Sequence, residues 1–439
     1  WVDRMNDGRE SSIWLMNADG SKKRALVDGS SPSWSPDGTR IAYTATGEPE
    51  GSQIFVRWMD AEGAVTQVTR VQHAPSNVTW SPDGEWLAFT MLVESDEGWR
   101  VSLPGRPDGA EWTSDPKVVQ RVNYRRDRQG YVDDGYRHVF VVPAEGGTPR
   151  RLTDGDWNHG DIAWSPDGRE IYFESNRVPD AEYQIRESEV YAVGVASGAI
   201  RQLTDRRGPD GDPTPSPDGS LIAYTGRDMS DDTYANSHLY VMAPDGSGSR
   251  MISGGFDRSF SVLEWAEDGS GVYLNVRREG TGNLHFAPAD GSGVRPVTEG
   301  NHVLSVSSFT DGVAYGEREA YHEPGDVVTF DLARALREPV GPDGLTELTA
   351  VNDDVLAGVT LGEVEEIWYE SVGGFRIQGW IIKPPGFDPD REYPLILSIH
   401  GGPHGMYDVG FNFAWQEHAA NDYVVLYTNP RGSTSYGQS

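Results

Sequence analysis

The chain has 439 residues, a formal net charge of −31 at pH 7, a hydrophobic content of 37% and no cysteine. Two cores are expected at this length. The acidic balance opposes nucleic-acid binding, where Lys and Arg neutralise phosphates, and the absence of Cys excludes disulfides and thiolate chemistry. No apolar run approaches the ~20 residues of a membrane helix, so a membrane is not an expected partner either. A cytoplasmic location is the expectation, although a leader before Trp1 would not be visible.

Taken in chain order, the first two-thirds is an array. One signature reads Trp34-Ser-Pro-Asp-Gly38, Trp80-Ser-Pro-Asp-Gly84, Trp164-Ser-Pro-Asp-Gly168, Pro215-Ser-Pro-Asp-Gly219 and Trp265-Ala-Glu-Asp-Gly269, with a faded copy at Phe309-Thr-Asp-Gly312. The motif is a turn: Pro presets φ, Asp bonds its own backbone and Gly accepts positive φ. Each turn leads into a short alternating strand, such as Arg40–Thr44, Trp86–Thr90, Glu170–Glu174 and Leu221–Thr225. A second hairpin follows, with strands at Ile13–Met16, Ile54–Arg57, Val139–Val142, Val190–Val193, Leu239–Met242, Leu284–Ala287 and Val327–Phe330. Four strands per unit, at a period of roughly 45–50 residues, is the β-propeller pattern. Seven second hairpins stand against six first ones. The expectation is therefore an all-β seven-bladed β-propeller over residues 1–350, with Trp1-Val2 as the tail of a strand belonging to the seventh first hairpin.

The period breaks once, at an insertion over about residues 93–136. It carries Arg121, Arg125, Arg126 and Arg128, interleaved with Tyr124 and Tyr131. One reading is a solvated loop neutralised by its own Asp115, Asp127, Asp133 and Asp134. The other is substrate binding, since a planar guanidinium pairs bidentately with a peptide carboxylate.

Residues 350–365 read as a linker. Beyond them lie strands at Glu366–Glu370 and Ile377–Ile382, a buried strand at Leu395–Ile399, a helix over Phe411–Asn421 and a strand at Tyr423–Thr428. The helix is expected to pack on a sheet through Phe411, Ala414, Trp415, His418 and Ala419. The order strand, strand, strand, helix, strand is that of the N-terminal part of an α/β-hydrolase domain, assigned to residues 351–439. The strand at Leu395 breaks into His400-Gly401-Gly402, a loop that leaves backbone amides bare, as an oxyanion hole requires.

With Trp-Ser-Pro-Asp-Gly repeats, His400-Gly-Gly-Pro and Asn429-Pro-Arg-Gly-Ser-Thr-Ser-Tyr-Gly437 in one chain, the sequence resembles the prolyl oligopeptidase family of serine peptidases over its whole length. It is most similar to the acylaminoacyl-peptidase branch, which Val118-Val-Gln-Arg-Val-Asn-Tyr-Arg-Arg-Asp127 also resembles. The resemblance implies that Gly402 gives its amide to the oxyanion hole and that His400 is structural; His404 and His418 are not read as bases either. It implies short peptides as substrates and a propeller that gates access to the site. No Gly-x-Ser-x-Gly elbow occurs, and Ser433 and Ser435 lie in a loop without that context. The triad is thus expected in a missing C-terminal hydrolase segment, and residues 1–439 alone are expected to be inactive. The acidic pair that holds a substrate amine in the family's dipeptidyl peptidases has no counterpart beyond Glu365-Glu366, which lies at the entry to a strand. No cofactor and no metal are expected, because the histidines are scattered and no His-Glu-x-x-His is present. A homo-oligomer is compatible with the sequence. Two other readings stay open: a non-catalytic TolB-like binding propeller, and an esterase on the same fold.

Overall fold

The computed structural model describes residues 2–3, 8–60, 62–95, 105–113, 117–119, 121–127, 129–232, 234–402 and 404–438. Trp1 and Arg128 lie outside them. Each Ser-Pro-Asp-Gly turn is built the same way. In the turn at residues 35–38, Ser35 Oγ donates to Asp37 Oδ1 at 2.5 Å while accepting from Arg40 N at 2.9 Å, and Asp37 also accepts from Thr39 N. The same network recurs around Ser81, Ser165 and Ser216. Local chemistry therefore sets where each strand pair begins.

The strands form antiparallel four-stranded sheets in chain order. The first contains Ser30–Trp34, Arg40–Gly47, Gly51–Trp58 and Val65–Gln67; the second contains Ser76–Trp80, Trp86–Glu94, Gly135–Pro143 and Arg150–Arg151. The third starts at His159–Trp164, the fourth at Asp210–Pro215, the fifth at Ser259–Trp265 and the sixth at Val303–Thr310. A parallel bridge, Gly282 to Val303, links the last two. The first strands of the first five sheets run side by side, so they form the inner layer. Apolar clusters fill the junctions, as where Ile54, Val56 and Val68 of the first sheet meet Leu87, Phe89 and Phe140 of the second. Before these sheets comes a two-stranded hairpin, Ser12–Leu15 with Arg24–Asp28. Its turn returns to the end of the array: a Cβ on Gly20 would stand 2.9 Å from the Leu348 carbonyl oxygen.

The insertion is slightly shorter than its expected bounds of 93–136. Trp86–Glu94 and Gly135–Pro143 pair to their ends, Glu94 opposite Gly135, which confines it to residues 95–134.

The C-terminal segment is a separate four-stranded sheet. Glu363–Glu370 pairs antiparallel with Arg376–Lys383, which pairs antiparallel with Val424–Asn429, and the latter runs parallel to Leu395–Ser398. The helix spans Phe413–Ala420, capped by Asn412 Oδ1 accepting from Trp415 N. Its buried face differs from the expected one. Gln416 and Ala419 are buried with Trp415 beside them, while Ala414 and His418 are exposed. A polar residue takes an inward position because its amide closes a pair of bonds with Gly362: N to Gln416 Oε1 at 2.7 Å, and Nε2 to Gly362 O at 3.3 Å.

Candidate active site

Where Leu395–Ser398 ends, the chain turns through His400-Gly401-Gly402. Gly402 has φ 136°, and a Cβ there would lie 2.5 Å from His404 N, so only glycine fits the loop. Gly402 is exposed, and among the described residues nothing accepts its N–H. An open amide on a tightly bent loop is the chemistry that an oxyanion site needs. His400 Nε2 lies 3.0 Å from Ser433 Oγ, which in turn donates to Pro430 O at 2.7 Å. This contact ties two loops together and does not present a nucleophile, since Ser433 is buried. Ser435 is buried as well, with its carbonyl accepting from Glu279 N.

These loops are fastened to one end of the array. Gln438 N donates to Asp257 Oδ2 at 2.9 Å, Val409 N to Gly280 O at 2.9 Å, and Trp380 Nε1 to Tyr321 OH at 2.8 Å. The His404 ring stacks on Tyr234 at 5.5 Å. Gly280 and Tyr321 lie where the second strand of a sheet turns into the third, which defines that end. Glu365 and Glu366 take no part: Glu365 pairs with Lys383 at 2.7 Å, and Glu366 accepts from Trp368 Nε1 and Gln378 Nε2.

At the same end of the second and third sheets opens a cavity of about 1340 Å³. The insertion forms one wall and residues 176–185 another. The four arginines have different fates. Arg121 is fully engaged: its Nε meets Glu182 Oε1 at 2.5 Å, its Nη1 donates to Gly135 O at 2.9 Å, and its guanidinium lies over the Tyr136 ring. Glu182 Oε2 also accepts from Val122 N, so this carboxylate clasps the insertion. Arg126 lines the cavity with no hydrogen bond or ion pair among the described residues, and Arg125 is exposed beside it. Arg128 falls outside the described residues.

The opposite side of the cavity is acidic, which the sequence reading missed. Glu174 shares a hydrogen bond with Asp161; burial first, then that bond, push its carboxyl up to about 8. On the next sheet, outside the cavity lining, desolvation followed by the charge of Asp161 raises Asp212, an exposed residue that accepts from Thr225 Oγ1 at 3.0 Å. Asp161 and Asp212 sit at β-bulges with φ 44° and 52°, where Ser31 and Asn77 stand in the first two sheets. The signal was present in the sequence: each of these residues lies three positions before the repeated Trp or Pro. Beneath them His159 is buried, its ring held neutral at about 4 by desolvation. Among the described residues no cluster of three or more ligating side chains could hold a metal, and no helix is long and apolar enough to cross a membrane.

Residues 109–232 match the N-terminal region of dipeptidyl peptidase IV. Over its full length the chain is 29% identical to the uncharacterized peptidase YuxL of Bacillus subtilis, of which it covers 67%. It is 24% identical to dipeptidyl-peptidase 5 of Porphyromonas gingivalis, with 97% of the chain and 63% of that protein aligned. Among solved structures, the acylaminoacyl peptidase of Pyrococcus horikoshii shares the fold with TM-score 0.78 and 20% identity, over 99% of this chain and 63% of that one. A puromycin hydrolase aligns with TM-score 0.67 and 15% identity, over 97% and 64%. The chain thus spans about two thirds of the length of these proteins. Likeness along its whole length and the dipeptidyl peptidase IV region make this chain a relative of proteins named as peptidases, with the fold of an acylaminoacyl peptidase.

Proposed function

We propose that the chain forms the seven-bladed propeller, residues 1–350, and the opening of the α/β-hydrolase domain, residues 351–439, of a serine peptidase that cleaves short peptides through an acyl-enzyme. One observation carries this reading: the open Gly402 amide lies at the same end of the array as the charged cavity. In that chemistry a serine Oγ attacks the scissile carbonyl, the amine leaves to give the acyl-enzyme, and water then releases the acid. Gly402 N–H is assigned to the oxyanion of each tetrahedral intermediate, a donor whose loss typically costs ~10²–10³ in rate. Residues 1–439 hold no elbow serine, so this stretch binds peptides without turning them over.

Arg126 is the proposed reader of a peptide carboxylate, supporting exopeptidase action of the acylaminoacyl type. Arg121 is withdrawn from that role by its clasp on Glu182. A second reading has its own observation. The carboxyls of Asp161 and Glu174 line the cavity, and several relatives are named dipeptidyl-peptidase 5. A free α-amine among these carboxyls would place an unblocked N-terminus there.

Calorimetry on residues 1–439 separates the two. Four versions of alanyl-phenylalanine are compared: acetylated or free at the N-terminus, acid or amide at the C-terminus. The acylaminoacyl reading expects the acetylated acid to bind, with Arg126→Ala or C-terminal amidation weakening it roughly 10–100-fold, the range for a charge-assisted pair. The dipeptidyl reading expects acetylation to abolish binding and Glu174→Gln to weaken the free-amine peptide. If none of the four binds, the cavity is not a peptide site.

A further inference from the structure

The arginines around the cavity differ in what holds their N–H groups. Arg121 is spent on Glu182 and on the Gly135 carbonyl. Arg137 donates Nη1 to Ser76 Oγ at 2.9 Å. The side chains of Arg126 and Arg177 also line the cavity, and among the described residues neither has a hydrogen bond or an ion pair. They stand on different walls, Arg126 on the insertion and Arg177 on residues 176–185.

Arg177 is half-buried and is held by rings instead. Its guanidinium carbon lies 4.6 Å from the ring centroid of Trp157 and 5.4 Å from that of Tyr191. Tyr191 is buried and stacks on Phe173 at 5.5 Å, so that side of the contact belongs to the third sheet. Trp157 is placed by Gly155, which has φ 87° and whose added Cβ would run into the indole. Stacking engages the face of a guanidinium and leaves its in-plane N–H donors free. An arginine fixed in this way loses little freedom when it takes up a planar anion. The nearby carboxyls do not claim it. Glu174 and Asp161 are bonded to each other. The charges of Asp154 and Asp156 oppose that of Arg177 at the buried His138, yet neither is ion-paired with it.

We propose that Arg177 is a specificity-determining residue that pairs bidentately with a second carboxylate of the bound peptide, so that the cavity selects short peptides carrying an acidic side chain. The argument is one of number. A peptide ending in an apolar residue has one carboxylate, which Arg126 takes under the acylaminoacyl reading. Arg177 would then lose water to the ligand and gain no acceptor for its donors, which is costly for a charged group. A backbone carbonyl meets one N–H; the carboxylate of a Glu or Asp side chain meets the fork. The net charge of −31 does not forbid this. Beyond about 8 Å exposed charges are largely screened at physiological salt, whereas this pair forms at contact. The inference rests on the cavity being a peptide site.

The test is calorimetry on the 439-residue chain with alanyl-glutamate and alanyl-glutamine, each acetylated and free at the N-terminus so that both end-group readings are covered. In whichever form binds, the glutamate peptide should bind roughly 10–100-fold tighter than the glutamine peptide, the range for a charge-assisted pair. Arg177→Gln should abolish that discrimination and leave the affinity for the glutamine peptide where it was. Arg177→Lys, which keeps the charge and loses the planar fork, should retain only a small part of it. If Arg177→Gln weakens both peptides equally, Arg177 merely supports the wall and the proposal is overturned. Equal binding of the two peptides to the unaltered chain overturns it as well, whether or not a variant folds, and leaves the peptide site standing. If neither peptide binds in either form, the proposal and the peptide site fall together.

Discussion

The carboxylates of the repeated turns and those of the cavity are chemically the same groups held in opposite ways. Asp37, Asp83, Asp167 and Asp218 sit at the surface. A serine hydroxyl and one or two backbone N–H groups hold each below the ordinary carboxylate range, Asp37 down to about 2. Glu174 lines the cavity, with Asp212 on the neighbouring sheet, and desolvation raises both. The turns spend their charge on local geometry and are stabilised by being ionised. The raised pair gains nothing from ionisation in the absence of a cation, so its charge is held in reserve for whatever enters. The fold is thus written in one set of acids, and the candidate site in another.

The largest effect that would sharpen this contrast is expected at Glu174. Below the ordinary carboxyl pKa both folded and unfolded chains carry the proton, and the residue is neutral in its effect. Between about 4.5 and 8 the unfolded chain ionises while the folded one stays protonated, so the native state binds more protons and stability falls as pH rises. Glu174→Gln, which mimics the protonated form, should leave the melting temperature unchanged at pH 4.5 and raise it at pH 9. The gain should reach at most about 5 kcal/mol, since each pKa unit is worth about 1.4 kcal/mol. A melting temperature that falls equally at both pH values would mean that Glu174 is an ordinary structural carboxylate.

The next effect lies in the turns and carries no pH dependence. Ser81 is buried; its hydroxyl both donates to Asp83 and accepts from Trp86 N at 2.9 Å. Ser81→Ala leaves that N–H unmatched inside the protein, at about 1–3 kcal/mol. Equal losses of melting temperature at pH 5 and pH 8 are expected. A loss confined to one of these would show that the serine acts mainly by tuning Asp83.

The same contrast explains what could be read from the sequence. Turn and strand positions were legible because Ser, Pro, Asp and Gly fix them within five residues. The helix face at Phe413–Ala420 was not: Gln416 is drawn inward by a backbone group at Gly362, and hydropathy does not register such a partner. The insertion was visible as a break in the period, but its arginines could not be sorted. Arg121 is claimed by Glu182, which sits in the loop after the next sheet's second strand. The bulge residues Asp161 and Asp212 were within reach through their fixed spacing to Trp164 and Pro215. They were passed over because a lone Asp before a strand looks like one more turn residue. What makes them a site is the partly buried Glu174, on the strand that pairs with that of Asp161 in the third sheet.

The smallest effect tests the turn carboxylates directly. Asp83 accepts from Ser81 Oγ at 2.5 Å and from Glu85 N at 3.0 Å, and these bonds lower its pKa while it stays nearly solvent-exposed. A group lowered in the folded state stabilises the fold above its unfolded pKa of about 3.9, and that contribution is lost as pH falls through the folded value. Asn keeps one acceptor oxygen and the shape but not the charge. Asp83→Asn should therefore lower the melting temperature by about 1–2 °C at pH 7, the scale of a solvent-screened interaction. The gap should close in strong acid, where Asp83 is itself protonated. Its slope with pH is thus opposite in sign to that of Glu174→Gln, and the double variant should show the two slopes adding, since the residues share no partner. A gap that persists unchanged into acid would mean that the turn uses the shape of the side chain and not its charge, and the division between the two sets of acids would then rest on the cavity alone.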